Sequence, residues 1–480
     1  MEMIKVKQLD ASNCKLECSN ATLYSLSDVF SYMVPNPQFI PKVKSGQWDG
    51  KIRLVNSRNK TMPVGLLNRL QNYCNHMEMQ LVSEVSIEPN DFSEDECEAF
   101  VQSLELQITP RDYQIQAFIH AIRNQRSLIV SPTGSGKSLI LYLTTEFCVQ
   151  LGLKVLVIVP TVNLVTQMAQ DFLNYSEGRR DVKQIRSGTD KEFDSDVVIS
   201  TWQSLQRMDK SDFSSVDAVI VDECHLATGA VLQKILNYCS NADFRLGTTG
   251  TLTGEKVHEM MLIAAIGEPK QFVTTDDLIR DNVLSPLKIN CLVLRHEQSP
   301  SIYDYQSEID YIINHHARNR YIINLTKSLK GNTLVLFSRV ETHGKVLYEM
   351  LEKENLAQNL FFMAGETKGE VRENIRQHVR ENADGNIIVA SSGVFSTGID
   401  IPALHNVIFA SPTKSKIRVL QSIGRILRVH GSKETAVVYD IVDKLITSPK
   451  NYAYQHFEER YRYYIEEDFD TDLYEISLST

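Results

Sequence analysis

Long hydrophobic runs are absent from this sequence of 480 residues. The longest apolar stretches have the length of a strand, such as Val155–Val159, whereas a membrane span needs roughly 18 apolar residues or more. The opening residues, MEMIKVKQ, contain no apolar signal core. The sequence therefore predicts a cytoplasmic protein without a signal peptide or a transmembrane segment.

Closely spaced cysteine pairs are also missing. None of the eight cysteines forms a C-x-x-C pair, which argues against a zinc knuckle. Cys14, Cys18, Cys74 and His76 could in principle supply four zinc ligands. Reduced thiols in the cytoplasm are the simpler interpretation.

Net positive charge is the third absence. Lysine and arginine number 50 against 60 acidic residues, so the formal net charge is −10. Taken over the whole chain, this charge argues against a polyanionic partner such as DNA. The 42% of hydrophobic and 23% of charged residues are ordinary for a globular protein, and the length corresponds to about three domains of roughly 150 residues.

The charge is nevertheless divided by segment. Lys42–Arg69 carries seven basic residues and one acidic residue, Asp49, whereas Glu84–Glu105 carries eight acidic residues and no basic ones. The acidic stretch contains Pro89 and is typical of a connection between domains. We therefore predict a small α+β N-terminal domain at residues 1–90 and an acidic linker at 91–106.

After the linker, short β-branched runs alternate twice with helix-length polar stretches, which predicts βαβ units and parallel sheets. The fold class is thus α/β, with two lobes in tandem at residues 107–283 and 284–450. An acidic, aromatic tail follows at 451–480, as a helix or surface strap. The predicted strands are Ser127–Ser131, Lys154–Val159, Asp196–Ser200, Asp217–Val221 and Phe244–Thr248 in the first lobe, and Thr333–Phe337, Leu360–Met363, Asn386–Ala390, Asn406–Ala410 and Thr435–Asp440 in the second.

A phosphate-binding loop follows the first of these strands. The segment Ser131–Ser138 reads SPTGSGKS and precedes a helical pattern, which is the context such a loop requires. Gly134 and Gly136 let backbone N–H groups turn toward phosphate oxygens, and the helix N-terminus adds its dipole. Lys137 would reach the β- and γ-phosphates, and Ser138 would ligate Mg²⁺. The sequence therefore predicts ATP and Mg²⁺ as cofactors.

Paired carboxylates end another apolar strand. Asp222 and Glu223 follow Val219–Val221 and would lie at the carboxyl edge of the sheet, where ligands bind in open α/β folds. Asp222 would hold Mg²⁺ through water, and Glu223 would orient or deprotonate the attacking water.

Four motifs occur in the order found in superfamily 2 helicases, which the chain resembles over residues 111–428. That resemblance implies two RecA-like lobes and an ATP-hydrolysing motor. The matching segments are Arg111–Gln114 (RDYQ), Asp222–His225 (DECH, a DEAH-like variant), Thr249–Thr251 (TGT) and Gln421–Arg428 (QSIGRILR).

The resemblance also implies roles for individual residues. Arg425 and Arg428 would reach the γ-phosphate from the second lobe, and such arginines contribute about 10³–10⁵ in rate. The further expected ATP contacts are Arg111, Tyr113, Gln114, Pro132, Thr133, Ser135, Gly398 and Asp400, with His225 and Gln421 in the catalytic set and Thr249 and Thr251 coupling hydrolysis to lobe movement.

Loops rich in Ser, Thr and Gly follow the strands on the same predicted edge. Their hydroxyl and N–H groups can bind backbone phosphates without reading bases, although ordinary helix capping uses the same residues. By resemblance they match helicase motifs that grip one strand. The expected contacts are Thr161, Gln167, Thr201, Trp202 and Gln203 in the first lobe and Ser338, Arg339, Gly365, Ser392 and Thr397 in the second.

The N-terminal domain indicates a particular family within the superfamily 2 helicases. Asn36–Phe39 (NPQF) and Gly46–Arg53 (GQWDGKIR) resemble bacteriophage branch-migration helicases of the UvsW type. Trp48 with Lys51 and Arg53 combines a stacking surface with positive charge, which is typical of nucleic-acid binding. Trp48 as part of a small β core is the alternative interpretation. For a phage-encoded protein, the location would be the host cytoplasm.

We therefore expect a monomeric ATP-dependent helicase or translocase that remodels branched DNA such as forks and Holliday junctions. The motor follows from the motifs, and the branched substrate follows from the resemblance alone. An RNA helicase and an ATP-gated clamp with little turnover are the alternatives. DECH in place of DEAD and the leading domain argue against the first, and the full hydrolytic set argues against the second.

Overall fold

The computed structural model divides into two compact units. The first comprises Met1–Ser131 and Gly136–Phe272, and the second comprises Pro132–Ser135 and Val273–Thr480. The structure describes residues 2–86, 88–186, 192–227, 230–252, 256–297, 302, 304–354, 359–382, 385–396, 401, 403–413, 415–446 and 450–478.

The first unit opens with a four-stranded mixed sheet of order β5-β2-β1-β6 and a small ribbon, β3-β4. In β1, Ile4 and Val6 are buried while Lys5 and Lys7 are exposed, so the period of two gives the sheet one apolar face. The elements are β1 (Met3–Gln8), β2 (Asn13–Glu17), α1 (Asn20–Val29), β3 (Ser31–Met33), α2 (Pro41–Lys44), β4 (Lys51–Arg53), β5 (Thr61–Pro63), α3 (Leu67–His76) and β6 (Gln80–Ser83).

A seven-stranded parallel sheet of order β13-β7-β12-β11-β8-β10-β9 forms the rest of the first unit, the first lobe. Its central strands are buried on both faces, as in parallel sheets covered by helices. The helices are α4 (Glu94–Ser103), α5 (Asp112–Asn124), α6 (Lys137–Gln150), α7 (Val162–Tyr175), α8 (Trp202–Leu205), α9 (Ala230–Tyr238) and α10 (Lys256–Ala265); the strands are β7 (Arg126–Val130), β8 (Val155–Val159), β9 (Lys183–Ile185), β10 (Val197–Thr201), β11 (Ala218–Val221), β12 (Phe244–Thr249) and β13 (Pro269–Gln271).

The N-terminal sheet packs directly against the first lobe. Met260 and Ile263 of α10 belong to the same apolar cluster as the N-terminal strands. The buried guanidinium of Arg245 donates to the Ser12 hydroxyl at 2.7 Å, and the Ala11 N–H donates to the Ser240 carbonyl at 2.8 Å. The first 90 residues therefore form one compact unit with the first lobe.

Most of the segment 91–106, which we expected to be an acidic linker, is helix α4. Ser93 and Glu96 form a capping box, and acidic residues in the first turn are favourable at a helix N-terminus. Cys97 and Phe100 are buried in the core of the first lobe. A count of charges did not distinguish a linker from the exposed face of an amphipathic helix.

The second unit is built on another seven-stranded parallel sheet, of order β16-β17-β15-β18-β19-β14-β20. The predicted fold class of two parallel-sheet lobes is thereby confirmed. The helices are α11 (Thr275–Arg280), α12 (Tyr305–Asn314), α13 (His316–Ser328), α14 (Lys345–Glu352), α15 (Gly369–Glu381), α16 (Ser392–Ser396), α17 (Lys416–Ile426) and α18 (Tyr452–Glu466); the strands are β14 (Leu287–His296), β15 (Asn332–Phe337), β16 (Leu360–Met363), β17 (Ile387–Ser391), β18 (Leu404–Phe409), β19 (Ala436–Leu445) and β20 (Asp470–Ser477).

The acidic tail is part of this unit. It contains helix α18 and strand β20, and β20 pairs in parallel with β14 along eight residues, from Lys288↔Asp470 to Arg295↔Ser477. Lys288 lies 3.0 Å from Asp470 and 2.9 Å from Asp472, so acids of the tail meet bases of the neighbouring strand. The tail thus supplies the edge strand of the sheet and covers β14, which would otherwise be the edge.

Among the described residues, no helix is both long and apolar enough to cross a membrane. No group of three or more His, Cys, Asp or Glu side chains in that part of the chain could hold a metal ion. Cys14 and Cys74 are buried thiols.

Candidate active site

The phosphate loop connects β7 to α6. Gly134 and Gly136 have φ angles of 89° and 77°, in the left-handed region where a side chain on Cβ is strained. The Ser131 N–H donates to the Thr249 carbonyl at 2.9 Å, which ties the start of the loop to the end of β12. Within the loop, the Ser135 N–H donates to the Pro132 carbonyl at 3.2 Å.

Gln114 contacts this loop directly. Its side-chain amide donates to the Gly136 carbonyl at 3.2 Å, and its carbonyl oxygen accepts the Arg111 N–H at 2.8 Å. A Cβ on Gly136 would lie 2.5 Å from the Gln114 amide nitrogen, so a side chain at this position would displace the amide. Gln114 is 2% exposed. Arg111 is exposed and Tyr113 half-buried beside it, so the three predicted adenine contacts lie at one end of α5.

Lys137 begins α6, and its side chain is only 11% exposed. The ammonium donates to the Ser131 carbonyl at 3.1 Å and lies 3.9 Å from a Glu223 carboxylate oxygen. The cation is therefore held within the loop, next to the acidic pair that ends β11.

Asp222 is buried at the carboxyl end of β11. One of its carboxylate oxygens accepts the Thr248 hydroxyl at 2.7 Å and the Glu223 N–H at 2.9 Å. Burial, together with the nearby Glu223 charge, raises the pKa of Asp222 to about 6. A buried carboxylate with a raised pKa is a group that gains from a cation placed beside it.

Glu223 differs from Asp222 in both its backbone conformation and its pKa. Its φ of 46° places a non-glycine residue in the left-handed region, a conformation that costs about 1–3 kcal/mol and clusters at functional sites. Burial alone would raise the pKa of Glu223, but the Lys137 ammonium and the His225 ring outweigh it and lower the pKa to about 2. Neighbouring carboxylates with pKa values pushed apart are typical of acid–base sites.

His225 links these carboxylates to the end of β12. Its Nδ1 lies 2.7 Å from the Thr249 hydroxyl and 3.3 Å from a Glu223 oxygen. The Thr249 hydroxyl donates in turn to the Thr251 carbonyl at 2.9 Å. The structure thus joins the DECH and TGT segments through side chains, although 24 residues separate His225 from Thr249.

Ser138 and Asp222 supply the oxygen donors that Mg²⁺ prefers, a hydroxyl and a carboxylate. They are the residues that would hold the ion, which would supply positive charge against the phosphates. The Ser138 hydroxyl forms a hydrogen bond of 2.9 Å with the hydroxyl of Tyr175. No motif marks Tyr175, because it lies at the far end of α7.

The residues of the first lobe that we expect to contact the nucleic acid follow strands β8 and β10. These two strands are neighbours in the sheet. The hydroxyls of Thr161 and Thr201 accept N–H groups at the starts of α7 and α8, at 3.3 and 3.2 Å. The Gln203 amide reaches the Pro160 carbonyl at 3.5 Å, between the two loops. Trp202 is half-buried against the core, whereas Gln167 is exposed. Helix capping thus accounts for both threonine hydroxyls.

In the second unit, four of the expected contacts surround the carboxyl ends of the strands. The Ser338 N–H donates to the Ser411 hydroxyl at 3.1 Å, and Arg339 pairs with Asp310. The Ser392 hydroxyl donates to the Phe337 carbonyl at 3.0 Å, and Gly365 is exposed. Thr397, Gly398 and Asp400 lie outside the described residues.

The QSIGRILR segment lies on α17 and just beyond its end. The Arg425 guanidinium lies 5.7 Å from the centre of the Phe395 ring, and the Arg428 carbonyl accepts the Ser285 hydroxyl at 3.4 Å. Gln421, Arg425 and Arg428 are half-buried.

The basic side chains expected in the N-terminal domain are partly neutralised. Lys51 pairs with Asp28 at 2.7 Å, and Arg53 pairs with Asp49 at 2.5 Å. The Trp48 indole N–H donates to the Lys51 carbonyl at 3.1 Å, so the half-buried ring serves to brace the loop. Asp28 lies outside Lys42–Arg69, so the charged residues of that segment did not reveal that Lys51 has an acidic partner.

Three cations of the same stretch, Lys42, Lys44 and Arg58, have no ion pair within the described part of the chain. All three are exposed, and the Lys44 ammonium lies 6.0 Å from the centre of the Phe39 ring. Phe39 is 71% exposed on a turn that begins at Pro37. Phe39 and these cations offer more accessible stacking surface and charge than Trp48, Lys51 and Arg53.

The two parallel-sheet lobes, the phosphate loop and the buried acidic pair define an ATP-hydrolysing motor of helicase superfamily 2. Family models match three stretches: "DNA helicase UvsW, N-terminal" at residues 3–84, "Type III restriction enzyme, res subunit" at 107–254 and "Helicase conserved C-terminal domain" at 317–430.

The ATP-dependent DNA helicase uvsW of Enterobacteria phage T4 is 34% identical, over 99% of this chain and 100% of that protein. The crystal structure of T4 UvsW is similar with a TM-score of 0.53 at 33% identity, again over 99% and 100% of the two chains. The chain belongs to the UvsW family of helicases, and the resemblance inferred from its sequence is confirmed. A fragment of a putative HsdR subunit of a type I restriction enzyme from Vibrio vulnificus, 17% identical with a TM-score of 0.60 over 89% and 76% of the chains, shares the fold alone.

Proposed function

We propose that this protein is an ATP-dependent DNA helicase or translocase that remodels branched DNA, such as forks and four-way junctions. The observation that carries the proposal is the connected set of Lys137, Glu223, His225 and Thr249 beside the phosphate loop. A site that only binds ATP has no need of a strained, ionised glutamate next to the phosphate-binding lysine. The T4 relative, which is named an ATP-dependent DNA helicase, supports DNA as the substrate.

Each residue has a part in the proposed cycle. Lys137 binds phosphate oxygens, and Ser138 and Asp222 hold Mg²⁺. Glu223, ionised at neutral pH, orients the attacking water and accepts its proton. His225 and Thr249 connect Glu223 to the end of β12, so a movement of the Glu223 side chain also moves the end of that strand. Arg425 and Arg428 remain predicted ATP contacts on the strength of their motif.

The test is ATP hydrolysis by the full chain with single-stranded DNA, duplex DNA, a four-way junction and RNA, all at one salt concentration. Salt is fixed because phosphate-driven affinity changes steeply with it. We expect the four-way junction to stimulate hydrolysis most. Stronger stimulation by RNA would instead favour an RNA helicase, and binding without stimulation would favour a clamp.

Lys137→Ala provides the matched background for this assay. Because the lysine contacts phosphate oxygens, its loss should abolish hydrolysis and leave most DNA binding intact. Normal hydrolysis by this variant would refute the assignment of the phosphate loop.

A further inference from the structure

A cavity of about 560 Å³ lies within the second unit, apart from the phosphate loop. It is lined by residues that follow β15 and β18, by α12 and α18, and by the start of α17. This volume is within the roughly 300–1,000 Å³ of small-molecule sites. The lining residues that bear on ligand binding include Tyr305, Ile309, Arg339, Arg418, Tyr452 and His456.

One wall of the cavity is aromatic. The Tyr305 ring lies 6.2 Å from the Tyr452 ring at an interplanar angle of 80°, and 5.2 Å from the His456 ring at 58°. Tyr305 is 42% exposed, so part of its ring is accessible, and Ile309 and Ile313 beside it are buried. Such a wall suits a flat, unsaturated ring.

Two buried charged residues fix this wall in place. The Glu308 carboxylate accepts the Asn451 amide at 2.9 Å and the N–H groups of Tyr452 and Ala453 at 2.9 and 2.6 Å, at the start of α18. Further along α18, the Arg460 guanidinium donates to the Thr413 carbonyl at 2.5 Å. The cavity is therefore preorganised, which lowers the ordering cost of binding.

The rim of the cavity is polar and basic. Arg339 pairs with Asp310, whereas the exposed Arg418 has no ion pair within the described residues. Ser338 and Thr413, which carry hydroxyl groups, also line the cavity. Two guanidinium groups against one carboxylate leave a positive rim beside an apolar wall, which is complementary to an anionic backbone that carries flat bases.

We propose that this cavity binds one unstacked nucleotide of a DNA strand. The base lies against Tyr305 and the adjacent isoleucines, and its phosphate lies at Arg339 and Arg418. The inference rests on the proposed function, since it places the site on the DNA strand that the motor follows. It also gives α18, in the acidic tail, a part in substrate binding.

The test measures binding of the full chain to a forked DNA that carries one abasic position, moved stepwise along its single-stranded arm. The fork fixes the register of the strand. For the wild type, one position should exist at which removal of the base weakens binding about 5- to 150-fold, the range for stacking of one base on an aromatic ring. Tyr305→Leu should weaken binding of intact DNA similarly and should remove the sensitivity to that position.

Matched variants separate the contribution of the base contact from that of the phosphate contact. Arg418→Ala should weaken intact and abasic DNA alike, since it contacts phosphate. Tyr474→Leu, an exposed tyrosine of β20 outside the cavity, should bind like the wild type. Thermal melting of Tyr305→Leu checks that the variant is folded.

Two results would overturn the proposal. If the wild type hydrolyses ATP with DNA stimulation but neither Tyr305→Leu nor any abasic position alters binding, the cavity binds no base and the proposed function stands. If AMP binds the wild type and Tyr305→Leu loses only AMP binding, the cavity serves a free nucleotide. A wild type without DNA-stimulated hydrolysis would remove the proposed function itself.

Discussion

At the scale of single residues, the site depends on unlike environments for similar groups. Asp222 is buried and the adjacent Glu223 is half-buried, yet the pKa of the first is raised and that of the second lowered. The difference comes from Lys137 and His225, which lie beside Glu223. Glu223 is therefore the carboxylate that stays fully ionised at neutral pH.

Glu223→Gln tests this role. The amide keeps the size of the side chain and loses the base, so ATP should still bind while hydrolysis falls by about 10²–10⁴-fold. Binding of a fluorescent ATP analogue and steady-state hydrolysis measure the two quantities, with Glu84→Gln on the N-terminal domain as the matched control. Unchanged turnover would exclude Glu223 as the base.

His343 makes a pH-dependent contribution to stability. The ring is fully buried beside Ser411, at 3.0 Å, and burial lowers its pKa from 6.5 to about 3. The unfolded chain binds a proton at higher pH than the folded one, so this stability is present above pH 6.5 and is lost as the pH falls toward 3. At pH 5 the loss is about 2 kcal/mol.

His343→Asn should flatten that dependence, because asparagine does not titrate and can still bond to Ser411. Urea unfolding of the second unit at several pH values between 5 and 7 measures this pH dependence of stability. An equally steep loss of stability in the variant would show that other groups carry the effect.

At the scale of elements, the contact between the N-terminal sheet and α10 is very close. A Cβ on Gly65 would lie 2.1 Å from the Ile263 carbonyl oxygen, so the two backbones touch where only glycine fits. Arg69 reinforces the contact through two hydrogen bonds to Glu268, at 2.6 and 2.9 Å. Deleting the first 90 residues would expose this apolar surface of the first lobe, so point substitutions are the better test of the domain.

Gly65→Ala should therefore loosen the N-terminal sheet from the first lobe. Overpacking of this kind typically costs about 1–3 kcal/mol. Thermal unfolding and limited proteolysis near residue 88 measure the effect. Gly369→Ala, where a Cβ meets no atom within 4 Å, is the control and should leave both unchanged.

At the scale of the whole molecule, the net charge of −10 is an average over regions of opposite character. Acids in α4 and β20 serve a helix N-terminus and a sheet edge, while Lys42, Lys44 and Arg58 stay exposed on the N-terminal domain. The total therefore does not argue against DNA. It indicates binding through a few defined surfaces, and such binding is sensitive to salt.

The double substitution Lys42→Glu/Lys44→Glu should weaken binding to a four-way junction and reduce its salt dependence, because each lost phosphate contact lowers the slope of log K against log salt by about 0.9. Titrations at several salt concentrations measure both. Lys5→Glu/Lys15→Glu makes the same charge change on β1 and β2 of the same domain. Equal losses in both variants would mean that only overall charge matters.

The sequence by itself determined that the protein is an ATP-hydrolysing motor. The phosphate loop, the acidic pair and the repeated strand pattern are local features, and backbone propensity and motif chemistry are encoded locally. The two parallel sheets and the family followed from them. The strands β9, β13, β14 and β20 were missed, since two of them are only three residues long and β20 lies in a segment that composition alone marked as a tail.

Only the tertiary structure decided which groups meet. Asp28 neutralises Lys51 across 23 residues, His225 reaches Thr249 across 24, and Tyr452 meets Tyr305 from the other end of the second unit. No local pattern records such distances, because they are set by how sheets and helices pack. The same packing turned a predicted linker into α4 and a predicted tail into the wall of a cavity.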